Sequence, residues 1–265
     1  MNCKINYKTK GFKSELDMVR FNGLNIKYVK NPSKELCIEA INEDATALLY
    51  INNPDDELKF LAIKKLPFMV TKIDNPTEEM YIEAVKRNGL TIMHIENQTE
   101  NMCIYAVRNN AFVYPYAKFK THKVNMEAIR KHPSIIQKIE NLTKDECMEA
   151  ISIDPTCINL IASQDTDMAK LAIEKDIKSL EFINKDVLKE LEAQNYLKYK
   201  ELVDSKVRNV KAFKLKDSIS YIYFVGCQKA ITKDEFIYRI HNIGGDIKSK
   251  PYRQKYIEFI NSIES

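Results

Sequence analysis

The sequence predicts a mainly α protein, an α-solenoid of about eight 22-residue helical repeats followed by a small C-terminal α+β module. Three observations predict it. Ala40, Ala62, Ala84, Ala106, Ala128, Ala150 and Ala172 recur at a constant interval of 22 residues, each followed by Ile or Val. Seven places before each alanine stands Ser33, Asp55, Thr77, Thr99, Thr121, Thr143 or Asp165, residues whose side-chain oxygen caps a helix start. After Ile183 the period ends, and β-branched and aromatic runs replace it.

The first element is a degenerate repeat. Met18 and Val19 take the alanine and following places, with Leu24, Ile26 and Val29 behind them, which suits an N-terminal cap. In the full repeats each capping residue opens an α-helix. Asn-Pro precedes three of the caps at Asn31-Pro32, Asn53-Pro54 and Asn75-Pro76, and Glu35, Glu57, Glu79, Glu100 and Asp145 put negative charge in the first turn. Five places after the alanine, Gly23, Ala45, Pro67, Gly89, Ala111, Pro133 and Pro155 end that helix, proline by removing a donor and glycine by relaxing the backbone. A short element follows, with apolar pairs such as Leu48 and Ile51, Val70 and Ile73, and Ile92 and Ile95. The i, i+3 spacing predicts one or two turns of α or 3₁₀ helix.

With the alanine at zero and about 100° per residue, the apolar places cover an arc of about 200°, wider than a helix resting on a single neighbour needs. Each helix is therefore expected between a preceding and a following one, with alanine at the closest approach. The run Met80-Tyr81-Ile82-Glu83-Ala84-Val85-Lys86-Arg87-Asn88-Gly89-Leu90 resembles the short tandem repeats of uncharacterised domains in bacterial, phage and giant-virus proteins. The resemblance covers residues 14 to 184, and the units are analogous to the α/3₁₀ units of leucine-rich variant repeats. It implies a binding surface and no catalytic residue. An effector or inhibitor clasping a host defence protein is its concrete form.

Residues 1–184 are assigned to the solenoid, 185–205 to a closing helix over Lys185 to Val203, and 206–265 to a module made of a hairpin and two helices. The hairpin joins Val210–Leu215 to Ile219–Val225 through Lys216-Asp217-Ser218. Thr232-Lys233-Asp234-Glu235 is a capping box that opens a helix through Ile240, stopped by Gly244-Gly245, and a last helix follows Pro251.

Composition narrows the function classes. Hydrophobic residues at 45% and charged residues at 29% exclude a disordered or fibrous chain. No apolar run spans a bilayer and Met1 to Lys13 lacks the apolar stretch of a leader, so a cytoplasmic protein with no membrane contact is expected. Of the charges, residues 185–265 hold 16 Lys and Arg against 11 Asp and Glu, whereas residues 1–184 hold 25 against 26. The six cysteines have no CxxC pair, and Cys37, Cys103 and Cys147 fall on the inner helix face as small hydrophobes. His94, His122, His132 and His241 show no metal-ligand spacing, and no phosphate-cradling or nucleophile motif is present. No catalytic residue, metal or cofactor is assigned; Cys227, His241 and Arg253 would make an enzyme only by converging. Glu39, Glu83, Glu127 and Glu149, one place before the alanine, read as a solvent-facing stripe beside Lys65, Arg87 and Lys131.

Two candidate surfaces remain. Ten places after the alanine, Tyr28, Tyr50, Lys72, His94, Tyr116 and Lys138 form a ladder that alternates aromatic and cationic side chains, a pattern suited to a protein partner. Alternatively, Lys198, Lys200, Lys206, Arg208, Lys211 and Lys214, interleaved with Tyr199, Phe213 and Tyr221, suit nucleic acid through phosphate pairing and base stacking.

Overall fold

The computed structural model describes residues 11–204, 208–218, 220–225, 228–242 and 250–264. The chain forms two compact units, Met1–Glu140 and Asn141–Ser265, so the division falls inside the periodic stretch.

In the first unit α1 (Glu15–Phe21), α2 (Lys34–Glu43), α3 (Asp56–Lys65), α4 (Glu78–Arg87), α5 (Glu100–Asn109) and α6 (His122–Lys131) are each followed by a 3₁₀ helix. These short helices are Gly23–Tyr28, Ala45–Tyr50, Pro67–Lys72, Gly89–His94, Ala111–Tyr116 and Pro133–Lys138. Successive α-helices pack side by side, and so do successive 3₁₀ helices, which is the expected solenoid arrangement. Ser33, Asp55, Thr77 and Thr99 cap their helices by accepting from the backbone N–H three residues on. Thr121 makes no such cap bond; its hydroxyl donates to Glu100 of the preceding repeat, as that of Thr99 also does to Glu78. The alanines and the β-branched residues after them are fully buried from Ala40-Ile41 to Ala128-Ile129.

Pro67, Pro133 and Pro155 stand at the first turn of the 3₁₀ helix as expected, but at the glycine repeats the break has a different cause from the one the sequence suggests. Gly23 and Gly89 do not take a left-handed conformation; a Cβ there would stand 2.3 Å from the Ala40 carbonyl oxygen and 2.6 Å from that of Ala106. At these two repeats the place must be small because the next repeat's alanine carbonyl fills it. The 3₁₀ helix is started by the residue just before, where the side chains of Asn22, Asp44, Asn88 and Asn110 accept from the N–H two residues on. These Asn and Asp residues recur in the sequence and are a second row of caps that the alanine periodicity does not reveal.

In the second unit α7 (Lys144–Ile153) and α8 (Thr166–Lys175), with the 3₁₀ helices Pro155–Leu160 and Ile177–Phe182, continue the pattern. Glu146 occupies an otherwise apolar place yet is only 1% exposed, because it closes a capping box with Thr143. α9 (Lys185–Ala193) then closes the repeats. It stops well short of Val203: Asn195 turns left-handed at φ 56°, and the Tyr196 N–H donates back to the Leu191 carbonyl at 2.9 Å. The residues expected to continue the helix form strand β1 (Leu197–Leu202).

The hairpin of β2 (Val210–Leu215) and β3 (Ile222–Val225) is present, but within a four-stranded antiparallel sheet of order β1-β2-β3-β4, with β4 at Gln228–Ile231. Thr232 precedes α10 (Lys233–Asn242), and α11 (Lys250–Glu264) follows. Gly244 and Gly245 lie outside the described residues. One sheet face, Val210, Ala212, Tyr223 and Val225, packs on Phe236 and Ile240 of α10 and Tyr256, Phe259 and Ile260 of α11. The other carries Tyr199, Phe213 and Phe224 as a run of ring contacts with centroids 5.0 and 5.5 Å apart.

Candidate protein-binding surface

A 3₁₀ helix has three residues per turn, so its side chains form three columns. Counting from the repeat alanine, the column at +5, +8 and +11 is the core, as in buried Ala45, Leu48 and Ile51. Buried residues at +7, such as Ala47, Met69 and Val113, begin the second column, and the predicted ladder ends it at +10. Tyr50, Lys72, His94, Tyr116 and Lys138 are exposed there, and Tyr28 is half-buried. The third column, at +6 and +9, also faces solvent, and the ladder alone does not reveal it. It holds Leu49 (52% exposed), Leu90 (44%), Met93 (43%) and Phe112 (63%), with Phe68 half-buried. The signal was present as large apolar residues out of register with the core column.

The two columns form one strip. The His94 ring meets Phe68 of the preceding repeat edge-on, with centroids 5.0 Å apart. Lys27 Nζ sits 5.0 Å from the Tyr28 ring centroid and 5.7 Å from that of Tyr50, bridging two repeats by cation–π contact. The +6 and +9 side chains of one repeat thus adjoin the +10 side chain of the next.

The α-helical face differs in its charges. The Arg108 guanidinium grips Glu127 of the following helix through two bonds of 2.7 Å and holds that carboxyl below its ordinary range. Arg20 reaches across to Glu39 of the following helix through a single bond of 2.5 Å. Of the three bases expected beside the glutamates, Arg87 pairs with Glu83 at 2.6 Å, whereas Lys65 donates to the Asn42 carbonyl of the preceding helix. Glu39, Glu83 and Glu127 are half-buried; Glu39 and Glu127 bind a base of the preceding repeat, whereas Glu83 pairs within its own helix.

The C-terminal basic set is divided by the sheet. Lys198 and Lys214 lie directly opposite in register and share a face with Lys200, while Lys211 points to the other side and donates to the Glu181 carbonyl at 3.1 Å. Arg208 is exposed, with its N–H donated to Tyr256 Oη, and Lys206 lies outside the described residues. The carboxylates that interrupt this segment are engaged elsewhere, Glu201 with Lys185 and Asp204 with Lys255.

The thiols of Cys37, Cys103, Cys147 and Cys157 are buried and reduced, and burial pushes that of Cys157 up to about 11. Cys227 lies outside the described residues, while His241 is exposed in the last turn of α10 and Arg253 is half-buried on α11. Among the described residues no group of His, Cys, Asp and Glu is arranged to hold a metal ion, and no helix is long and apolar enough to cross a membrane. Comparison with family models, curated proteins and solved structures gave no match for this chain.

Proposed function

We propose that the protein is a non-catalytic scaffold that binds another protein through the 3₁₀ face of its first six repeats. The observation that carries this reading is the strip itself. Leu49, Tyr50, Leu90, Met93, Phe112 and Tyr116 are all more than 40% exposed and all belong to this face. Large apolar side chains gathered on one face of a folded domain mark a partner surface, and Tyr and Phe bury much area for little lost rotamer freedom. An effector that clasps a host protein is the form of this activity that the resemblance to phage and bacterial repeats suggests.

The test is crosslinking and co-purification from a native lysate with the wild-type chain and with Tyr28, Tyr50 and Tyr116 replaced by Ala. A stoichiometric protein partner retained by the wild type and lost by the triple variant is the expected result. Unchanged capture by the variant overturns the assignment of this face.

A nucleic-acid reading of the second unit has one specific observation in its favour, the juxtaposition of Lys198, Lys200 and Lys214 with their neighbouring carboxylates paired elsewhere. Its signature is an affinity that falls steeply with salt. Binding of a labelled oligonucleotide that is weak at low salt, or unaffected by Lys198→Ala with Lys214→Ala, removes it.

A further inference from the structure

The strip is selective in charge as well as apolar. At the +6, +9 and +10 places of the six repeats from Leu24 to Lys138 stand eighteen residues, and none is Asp or Glu. Three are lysines, Lys27, Lys72 and Lys138, and one is His94. On the α-helical side of the same unit several cations are matched internally, Arg20 with Glu39, Lys34 with Asp55, Lys59 with Asp56, and Arg108 with Glu127, while Lys65 and Lys118 donate to backbone carbonyls. Lys72 and Lys138 enter no ion pair among the described residues, although both are exposed. Lys27 is held over two tyrosine rings rather than by a carboxylate. The carboxylates Asp74, Glu96 and Glu140 stand one place beyond the +11 residues, Ile73 half-buried and Ile95 and Ile139 buried, on the turns between repeats. The seventh repeat, with Thr156, Asn159 and Leu160, is also free of acid at these places, and the rule ends in the eighth, where Glu181 occupies the +9 place.

We propose that this strip binds an extended acidic polypeptide segment of the partner, one that alternates carboxylates with large apolar side chains. This rests on the protein-binding reading above. Neighbouring helices pack about 8–10 Å apart, and an extended chain advances about 3.3 Å per residue, so about three residues of partner cover one repeat. Six repeats then take a segment of about 15 residues. Its carboxylates meet Lys27, Lys72 and Lys138, and its apolar side chains rest on Leu49, Leu90, Met93 and Phe112. The apolar contacts supply the affinity, and the acid-free background excludes basic segments.

A nucleic-acid strand fits the same strip poorly. It presents a charge about every 3.4 Å, whereas only three of the six repeats place a lysine on the strip, and phosphates would face Phe112, Met93 and Leu90.

The experiment is selection from a displayed library of random peptides of about 15 residues on the full-length protein. Enrichment of Asp and Glu together with Leu, Ile or Phe is expected. Selected peptides should lose about tenfold or more in affinity against Lys72→Glu with Lys138→Glu, a variant that far-ultraviolet circular dichroism should show to be folded. Reversing the peptide's acids to lysine should restore binding to that variant. Selection of neutral or basic peptides, failure to enrich any peptide, undiminished binding to the variant, or displacement by an oligothymidylate that also depends on Lys72 and Lys138 would each overturn the proposal. If the natural partner is still lost on replacing Tyr28, Tyr50 and Tyr116, protein binding by this face stands and only the acidic character of the partner falls.

Discussion

Removing the Gln98 side chain should open the joint between the fourth and fifth repeats of the first unit. Gln98 is 9% exposed, and its amide nitrogen donates to the carbonyls of Ile92 at 3.0 Å, Ile95 at 3.3 Å and Tyr116 at 3.1 Å. Its oxygen accepts from the Lys118 N–H at 2.8 Å and from the Cys103 thiol at 3.3 Å. The Ile92 carbonyl also accepts from the Ile95 N–H, so it keeps a partner when the amide is gone. Three backbone groups remain, the buried Ile95 O and the part-buried Tyr116 O and Lys118 N, each worth about 0.5–1 kcal/mol when unpaired, which puts Gln98→Ala at about 1.5–3 kcal/mol. Gln98→Leu separates hydrogen bonding from packing: it restores apolar volume but no partner, so it should be no more stable than the alanine variant. Urea unfolding followed by circular dichroism gives the stability change, and amide exchange at Lys118 gives the local one. A loss under about 0.5 kcal/mol, rescue by leucine, or unchanged protection of the Lys118 amide would refute the reasoning. Gln164 makes the corresponding bonds to Ile158 O, Phe182 O and Asn184 N in the second unit but is half-buried, so its alanine variant should lose less.

The hydroxyl of Thr91 is fully buried without a hydrogen-bond partner in the protein, at a place where Val113 stands one repeat later. Thr91→Val should therefore stabilise the chain by about 0.5–2 kcal/mol in the same urea titration. Cys37, Cys103, Cys147 and Cys157 are buried with thiols raised by desolvation, and iodoacetamide at pH 8 should leave their peptides unmodified until the chain is unfolded, as read by mass spectrometry. Asp55 lies below the usual aspartate range, held by the Leu58 N–H and by Lys34. So does Asp165, whose partial desolvation is outweighed by Lys144 and the Met168 N–H. Depressed carboxyls bind fewer protons folded than unfolded, so their contribution is full above pH about 4 and is lost as the pH falls through their folded values. Melting temperature should be level near neutrality and fall below pH about 4, and Asp55→Asn should lessen that fall.

The repeat was legible because each of its signals is local. A capping Ser, Thr or Asp, an alanine seven residues later and a proline or small residue five beyond that define where a helix starts and stops within a few bonds of the residue concerned. The α/3₁₀ alternation, the N-terminal cap and the exposure of Tyr50, Lys72, His94, Tyr116 and Lys138 follow from that spacing. The end of α9 and strand β1 were not legible in the same way. Leu197-Lys198-Tyr199-Lys200 reads as a charged helix face or as a strand edge with equal ease, and the choice falls to Tyr199 stacking on Phe213 across the sheet.

What the sequence alone determined is the period, the helix boundaries and the set of residues that reach each face, because these depend on backbone geometry repeated every 22 residues. Tertiary structure decided which two of the three columns of each 3₁₀ helix meet water, since only a neighbouring repeat can bury one. It decided too that Gly23 and Gly89 must be small, because the carbonyl that excludes a side chain there belongs to the next repeat. Likewise it divided the lysines of the second unit between two faces of a sheet and joined the apolar and aromatic columns of the first into one acid-free strip. A contact between repeats is set by atoms about 20 residues apart in the chain, and no local preference encodes which side chain will be opposite.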